Sequence, residues 1–168
     1  LSRKICAEKP ELSQIQKELS EIDGRKVYPF AVQCAAFALI AGAFTIFFGG
    51  NFIDAAAAAV IGAVLKVVVY IADKSAVNMV FANVVSSFIL CSLAFLCVFI
   101  GFGEHVDMII IGNIMLLIPG IGLTNSIRDI VSGDIMAGML RFCESVIIAV
   151  AIAAGYILSA LLLGGLIR

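Results

Sequence analysis

Residues 79–101 read MVFANVVSSFILCSLAFLCVFIG and contain no charged side chain. An α-helix rises about 1.5 Å per residue, so about 20 residues cover the roughly 30 Å of hydrocarbon in a bilayer. A helix over this stretch would be hydrophobic on every face, as membrane-spanning helices are. The stretch therefore predicts a transmembrane helix.

The composition of the whole chain agrees with a membrane protein. Hydrophobic residues make up 62% of the 168 residues, charged residues only 14%, and the mean hydropathy is +1.15. Soluble domains are about 45–50% apolar and about 25% charged. The net charge of −1 gives nucleic-acid binding no electrostatic basis. We therefore predict an all-α polytopic membrane protein without a nucleic-acid partner.

Five apolar segments of this kind follow one another along the chain. The predicted spans cover about Phe30–Phe48, Ala55–Ala72, Met79–Gly101, Met108–Leu123 and Phe142–Gly164. The fourth is too short for a span without the portion beyond Pro119-Gly120, so we predict a broken helix there. The chain then divides into a polar cytosolic lead-in helix over residues 1–28 and a five-helix transmembrane domain over residues 29–168.

Basic residues are distributed unevenly between the connections. The polar N-terminus, the second-to-third connection and the fourth-to-fifth connection hold six, one and two of the 11 Lys and Arg residues, whereas residues 51–54 and 103–107 hold none. The positive-inside rule therefore predicts a cytoplasmic N-terminus and an outer C-terminus. Because the chain begins at Leu1, within a polar helical pattern and without an initiator Met, we also expect an upstream soluble part.

Side chains suited to catalysis or to metal binding are sparse. The five cysteines have no C-x-x-C or Cys/His metal spacing, and we interpret them as small buried apolar residues. His105, the only histidine, lies in a predicted connection with Glu104 and Asp107 nearby. We predict that the chain is not an enzyme and has neither a metal site nor a cofactor.

Small residues recur at every fourth position in three segments. Such rows let helix backbones approach closely in lipid, either within one bundle or against a second membrane subunit. The rows are Ala38 and Gly42; Ala55, Ala59 and Ala63; and Ala151, Gly155 and Ser159.

At the start of the second segment, Asp54 is predicted to be an N-cap, with an outer gate residue as the alternative.

The most informative stretch for function is LLIPGIGLTNSIRDIVSGD, residues 116–134. Pro119 removes a backbone donor, two glycines allow a sharp turn, and three capping residues favour a new helix beginning near Asn125. Broken helices in transporters use their positive N-terminal ends to bind anionic groups. A carboxylate could bind at this break; a proline kink or a helix end at the cytoplasmic surface is the alternative.

Charged residues cluster beside this break, and one lies deep in an apolar segment. Lys66 sits where an ionisable group costs about 3 kcal/mol unless it is paired or reaches the interface. Lys66 either faces the bundle, where it would bind the substrate or couple an ion, or it reaches the cytoplasmic interface. The charged residues beside the break are equally explained as exposed loop residues. The candidate substrate-binding residues are Lys66, Pro119, Gly120, Gly122, Thr124, Asn125, Arg128, Asp129, Asp134 and Arg141.

The stretch Ile118–Asp134, followed by Gly138 and Arg141, resembles the threonine/serine exporter family, and so does FFGGNFID at residues 47–54. The resemblance covers the chain from about residue 12. It implies a full transporter of about ten membrane helices, fused or split between two subunits, of which this chain is the N-terminal five-helix half. The implied substrates are threonine and serine, or a small dicarboxylate such as succinate in the split type.

The residues and the resemblance together predict half of a bacterial exporter in the inner membrane, driven by an ion gradient. Its expected partners are an amino-acid or dicarboxylate substrate, membrane lipid, and a second membrane subunit or further copies of the chain. A non-transporting membrane scaffold or assembly subunit is the alternative. If the charged residues at the helix break are needed for activity, the transporter is favoured. If the break has only a structural role, the scaffold is favoured.

Overall fold

The computed structural model describes residue 16, residues 28–75 and residues 77–167. Residues 31–168 belong to one compact unit, and the predicted lead-in helix over residues 1–28 falls almost entirely outside the described residues. The described part contains six α-helices and no strand. They are α1 (Phe30–Phe47), α2 (Phe52–Lys74), α3 (Met79–Ile100), α4 (Val106–Ile114), α5 (Gly120–Val131) and α6 (Ile135–Leu163), with a 3₁₀ turn at Gly164–Ile167.

Four helices of the described part, α1, α2, α3 and α6, are long and apolar enough to cross a bilayer. The predicted all-helical membrane architecture is therefore confirmed, but the prediction of five such spans is not. α4 has nine residues, which is a length of about 14 Å and less than half of the hydrocarbon thickness.

The fourth predicted segment consists of two short helices with a turn between them. α4 ends at Ile114, residues 115–118 form turns and a bend, and α5 begins at Gly120 directly after Pro119. The interruption thus covers residues 115–119, and the predicted helix start near Asn125 was wrong by five residues. The reason is that proline disfavours helical backbone in the residue before it but is tolerated at a helix start, where no N–H donor is needed.

A tight turn at residues 132–134 joins the end of α5 to the start of α6. Gly133 has φ 95°, a left-handed conformation that glycine adopts without strain, and its N–H bonds Ile130 O at 3.1 Å. The N–H of Asp134 bonds Asp129 O at 3.0 Å, which completes a Schellman motif. The Asp134 carboxylate then accepts the N–H of Ala137 at 3.3 Å, so Asp134 is the N-cap of the last helix.

The first two rows of small residues bring α1 against α2. A Cβ added at Gly42 would lie 3.1 Å from the carbonyl oxygen of Ala55 and 3.8 Å from the Cβ of Ala59. Beside these rows, a Cβ added at Gly62 would lie 2.8 Å from the Cβ of Ala41. These distances leave no room for larger side chains, so the two backbones are in contact. The predicted close approach occurs here within one chain.

The third row joins α6 to α3. A Cβ added at Gly155 would lie 2.8 Å from the Cβ of Ser87 and would also meet the backbone of Val84. Ser87 Oγ donates to the carbonyl oxygen of Ile152 at 2.7 Å. Close packing and an interhelical hydrogen bond therefore hold α6 on α3.

The connections gather at two ends of the helix bundle. Asn51 Nδ2 donates to Glu104 Oε2 at 2.8 Å, so the α1–α2 and α3–α4 connections meet at one end. We call it the acidic end, because residues 49–54 and 101–107 contain acidic residues and no Lys or Arg. At the other, basic end, Met79 lines a cavity together with Pro119 and Arg141. The two ends agree with the uneven distribution of Lys and Arg between the connections. Which of the two ends faces the cytoplasm stays a prediction.

Candidate functional site

A cavity of about 280 Å³ lies at the basic end, where the start of α3 meets α5 and α6. We call it the α5–α6 cavity. Its volume suits a small metabolite, and its lining contains both apolar and polar side chains. The lining residues are Met79, Pro119, Ile121, Gly122, Asn125, Arg141, Glu144, Ser145 and Ile148.

Two glycines bring α5 against α6 and so form this cavity. A Cβ added at Gly122 would lie 3.1 Å from Ser145 Oγ, and one at Gly138 would lie 2.8 Å from the carbonyl oxygen of Ser126. Arg141, Glu144, Ser145 and Ile148 follow at spacings of three and four along α6, so they share the helix face that lines the cavity. The geometry therefore follows from one glycine on each helix and from the helical spacing of the lining residues on α6.

An ion pair joins α5 to α6 beside the cavity. Arg141 Nη1 donates to Asp129 Oδ2 at 2.8 Å, and the two side chains are 57% and 22% exposed. Glu144 is the second carboxylate of the group and makes no ion pair with any other described residue. One guanidinium and two carboxylates give a formal charge of 1 − 2 = −1. A guanidinium has five N–H donors, so Arg141 keeps donors for a further carboxylate.

The structure brings half of the ten candidate residues together. Pro119, Gly122, Asn125 and Arg141 line the α5–α6 cavity, and Asp129 pairs with Arg141. The others have separate surroundings. Gly120 is the first residue of α5, Thr124 Oγ1 donates to Gly120 O at 2.9 Å, Asp134 caps α6, and Arg128 is exposed without an ion pair to any described residue.

Lys66 lies apart from this group, on α2. Its Nζ is 5.1 Å from the centroid of the Phe37 ring, and a ring face attracts a cation. Phe37 lines a second cavity of about 410 Å³, which also includes Asp73, Asn83 and Ser86. Lys66 therefore contacts an aromatic ring of the bundle and not the charges of the α5–α6 cavity.

Two features of the structure differ from the sequence-based interpretation. Glu144 and Ser145 belong to the α5–α6 cavity, and their helical spacing from Arg141 was the signal for them. Asp54 is not the N-cap of α2. Asn51 is the N-cap, and the side chains of Asn51 and Asp54 each accept the other's backbone N–H, at 2.8 and 3.1 Å. The spacing Asn-x-x-Asp is that of a capping box. In a capping box the first residue is the N-cap, and the third helical residue, here Asp54, supplies the side chain that accepts the N–H of the N-cap.

Four membrane-length helices and a charged cavity between one of them, α6, and the short helix α5 define a multi-pass membrane protein with a site of small-molecule size. A family model described as "Putative threonine/serine exporter" matches residues 1–164. The chain belongs to this family, which confirms the predicted family and its membrane transport class. No curated protein and no solved structure gives a significant match.

Proposed function

We propose that this chain is a subunit of an exporter that moves threonine and serine across the bacterial inner membrane and catalyses no chemical reaction. The N-terminus would lie in the cytoplasm, and the α5–α6 cavity at the basic end would receive the substrate from that side. A second membrane subunit would complete the pathway. The observation that supports this proposal is a guanidinium and two carboxylates gathered at one small cavity.

The substrate carboxylate would bind between Arg141 and the first turn of α5. This turn begins at Pro119, which lines the cavity. The N–H of Gly120 donates to Ile118 O at 2.8 Å, and the next N–H groups of the first turn have no partner within the helix. Together with the helix dipole they form a site that favours anions. Arg141 adds a full positive charge and planar donors that match a carboxylate.

The substrate ammonium group would bind to the carboxylate side of the same site. Glu144 lines the cavity without an ion pair to another described residue, and Asp129 lies at its edge, on Arg141. Asn125 and Ser145 supply uncharged groups for the hydroxyl of threonine or serine. A zwitterion would thereby find both of its charges matched within one cavity.

A dicarboxylate fits this arrangement less well. The group already carries a formal charge of −1, because two carboxylates surround one guanidinium. Two like charges about 4 Å apart near a protein surface repel each other by roughly 4 kcal/mol. The second carboxylate of succinate would meet such a charge, so we propose threonine and serine and not succinate as the substrates.

An export assay on the complete assembly tests this proposal. The chain and its second membrane subunit are reconstituted into vesicles that contain labelled threonine, serine or succinate. We expect efflux of threonine and serine, and retention of succinate. Efflux of succinate alone would show that the carboxylates do not select the substrate, and no efflux from correctly inserted protein would favour the membrane scaffold.

A further inference from the structure

The acidic end of the bundle is built around one buried carboxylate. Asp54, in the first turn of α2, is fully buried and accepts four hydrogen bonds from two different connections. A single side chain therefore joins the α1–α2 connection, α2 and the α3–α4 connection. The four donors are the N–H groups of Asn51 (3.1 Å), Glu104 (2.7 Å) and His105 (3.1 Å) and the Nδ1 of His105 (2.9 Å).

The α3–α4 connection is folded tightly onto this carboxylate. Gly103 has φ 131°, and a Cβ there would lie 2.7 Å from the Cδ1 of Ile109 and 3.4 Å from Asp54 Oδ1. Asn51 Nδ2 also donates to Glu104 Oε2 at 2.8 Å. Because the next two N–H groups both point at Asp54, a loss of this contact would free the whole connection from α2.

His105 is the member of this group that water and protons reach directly. Its side chain is 52% exposed, whereas that of Asp54 is 0% exposed. The hydrogen bond that His105 donates to Asp54 raises the pKa of His105 above its ordinary value of 6.5, and the negative charges of Asp54, Glu104 and Asp107 act in the same direction. These three acids are the charged groups that face the imidazole within the described residues, one from α2 and two from the α3–α4 connection and the first turn of α4.

We propose that Asp54 and His105 form a proton-sensitive clamp that holds the α3–α4 connection closed on the acidic end of the bundle. Protonated His105 makes an ion-paired hydrogen bond to the Asp54 carboxylate, whereas neutral His105 donates an uncharged N–H to the same carboxylate, which is a weaker bond because only the acceptor then carries a charge. Because the pKa of His105 is raised in the folded state, this stabilisation is complete below about pH 6.5 and disappears as the pH rises through the raised pKa. The gating role of the clamp, closing the exit for the substrate, rests on the proposed function.

Hydrogen exchange of the full chain in lipid nanodiscs tests the clamp without any substrate. Peptides that cover residues 101–107 are compared at about pH 5.5 and about pH 9, with exchange rates corrected for the chemical effect of pH. We expect exchange to be roughly three- to tenfold faster at the higher pH. In His105→Gln the exchange should be fast at both values. Glu104→Gln is the matched control, because its backbone N–H still donates to Asp54, and it should keep the pH response.

Equal protection of wild-type residues 101–107 at both pH values would overturn the clamp, and so would an unchanged pH response in His105→Gln.

The export assay tests the gating role of the clamp separately. Acidification at the acidic end should slow threonine efflux about threefold or more in wild type but not in His105→Gln. Efflux without any exchange response would refute the clamp and leave the proposed function standing; the exchange response without efflux would refute the proposed function alone.

Discussion

Arg141→Gln should reduce threonine export by about 10- to 150-fold while the protein still inserts into the membrane. Among the described residues, the substitution removes the only guanidinium of the α5–α6 cavity and leaves the carboxylates of Asp129 and Glu144 without a counter-charge. Loss of a hydrogen bond to a charged group costs about 1.5–3 kcal/mol, which gives this range. The measurement is the initial rate of threonine efflux from vesicles at matched protein content.

Arg128→Gln is the matched control for this prediction. It makes the same change of charge on the adjacent helix, but Arg128 is exposed and has no ion pair with a described residue. Its efflux rate should stay within about twofold of wild type, since exposed charges contribute little. Arg141→Lys should give an intermediate rate, because it keeps the charge but loses the planar donors. Equal rates for Arg128→Gln and Arg141→Gln would show that Arg141 has no special role.

Gly155→Leu should destabilise the bundle more than any substitution on its surface. Even a single added carbon at this position would lie 2.8 Å from the Cβ of Ser87 and would meet the backbone of Val84, so α3 and α6 would have to separate. The hydrogen bond from Ser87 to Ile152 would then be lost as well. Overpacking of this kind costs about 3 kcal/mol or more when backbone atoms cannot yield. The melting temperature of the detergent-solubilised protein measures the effect.

The control for this prediction is Gly164→Ala. An added Cβ at Gly164 meets no atom within 4 Å, and the residue has an ordinary right-handed helical conformation. Its melting temperature should equal that of wild type. A Gly155→Leu protein that melts at the wild-type temperature would contradict the close contact between α3 and α6.

The membrane class of the protein could be predicted from the sequence because it depends on length and hydropathy alone. A stretch such as Met79–Ile100 has no charged group to satisfy, so no tertiary context can alter its preference for lipid. The sorting of connections to two ends likewise follows from charge. The fourth segment was harder, because several turn-forming residues near Pro119 permit more than one helix start. Two factors together select Gly120: proline is tolerated at a helix start, and α5 packs against α6.

The candidate site could be located by sequence but not assembled from it. The helix break and the charges beside it indicated residues 119–141, and the ion pair between Arg141 and Asp129 lies within that range. The contribution of Glu144 and the separation of Lys66 depend on which helix faces meet, and a single sequence does not specify this. Similarly, Asp54 and His105 are 51 residues apart, and their contact arises only from the folded bundle.

Substrate protection of a cysteine in the α5–α6 cavity tests the central claim, that this cavity binds the transported amino acid. Asn125→Cys is made in a variant that lacks the five native cysteines, and Arg128→Cys on the exposed side of the same helix is the control. Threonine at about ten times its dissociation constant should slow maleimide labelling of position 125 about tenfold, and labelling of position 128 should not change. Succinate should protect neither position. Unchanged labelling of position 125 in saturating threonine, in an assembly that exports threonine, would place the binding site elsewhere and contradict the account.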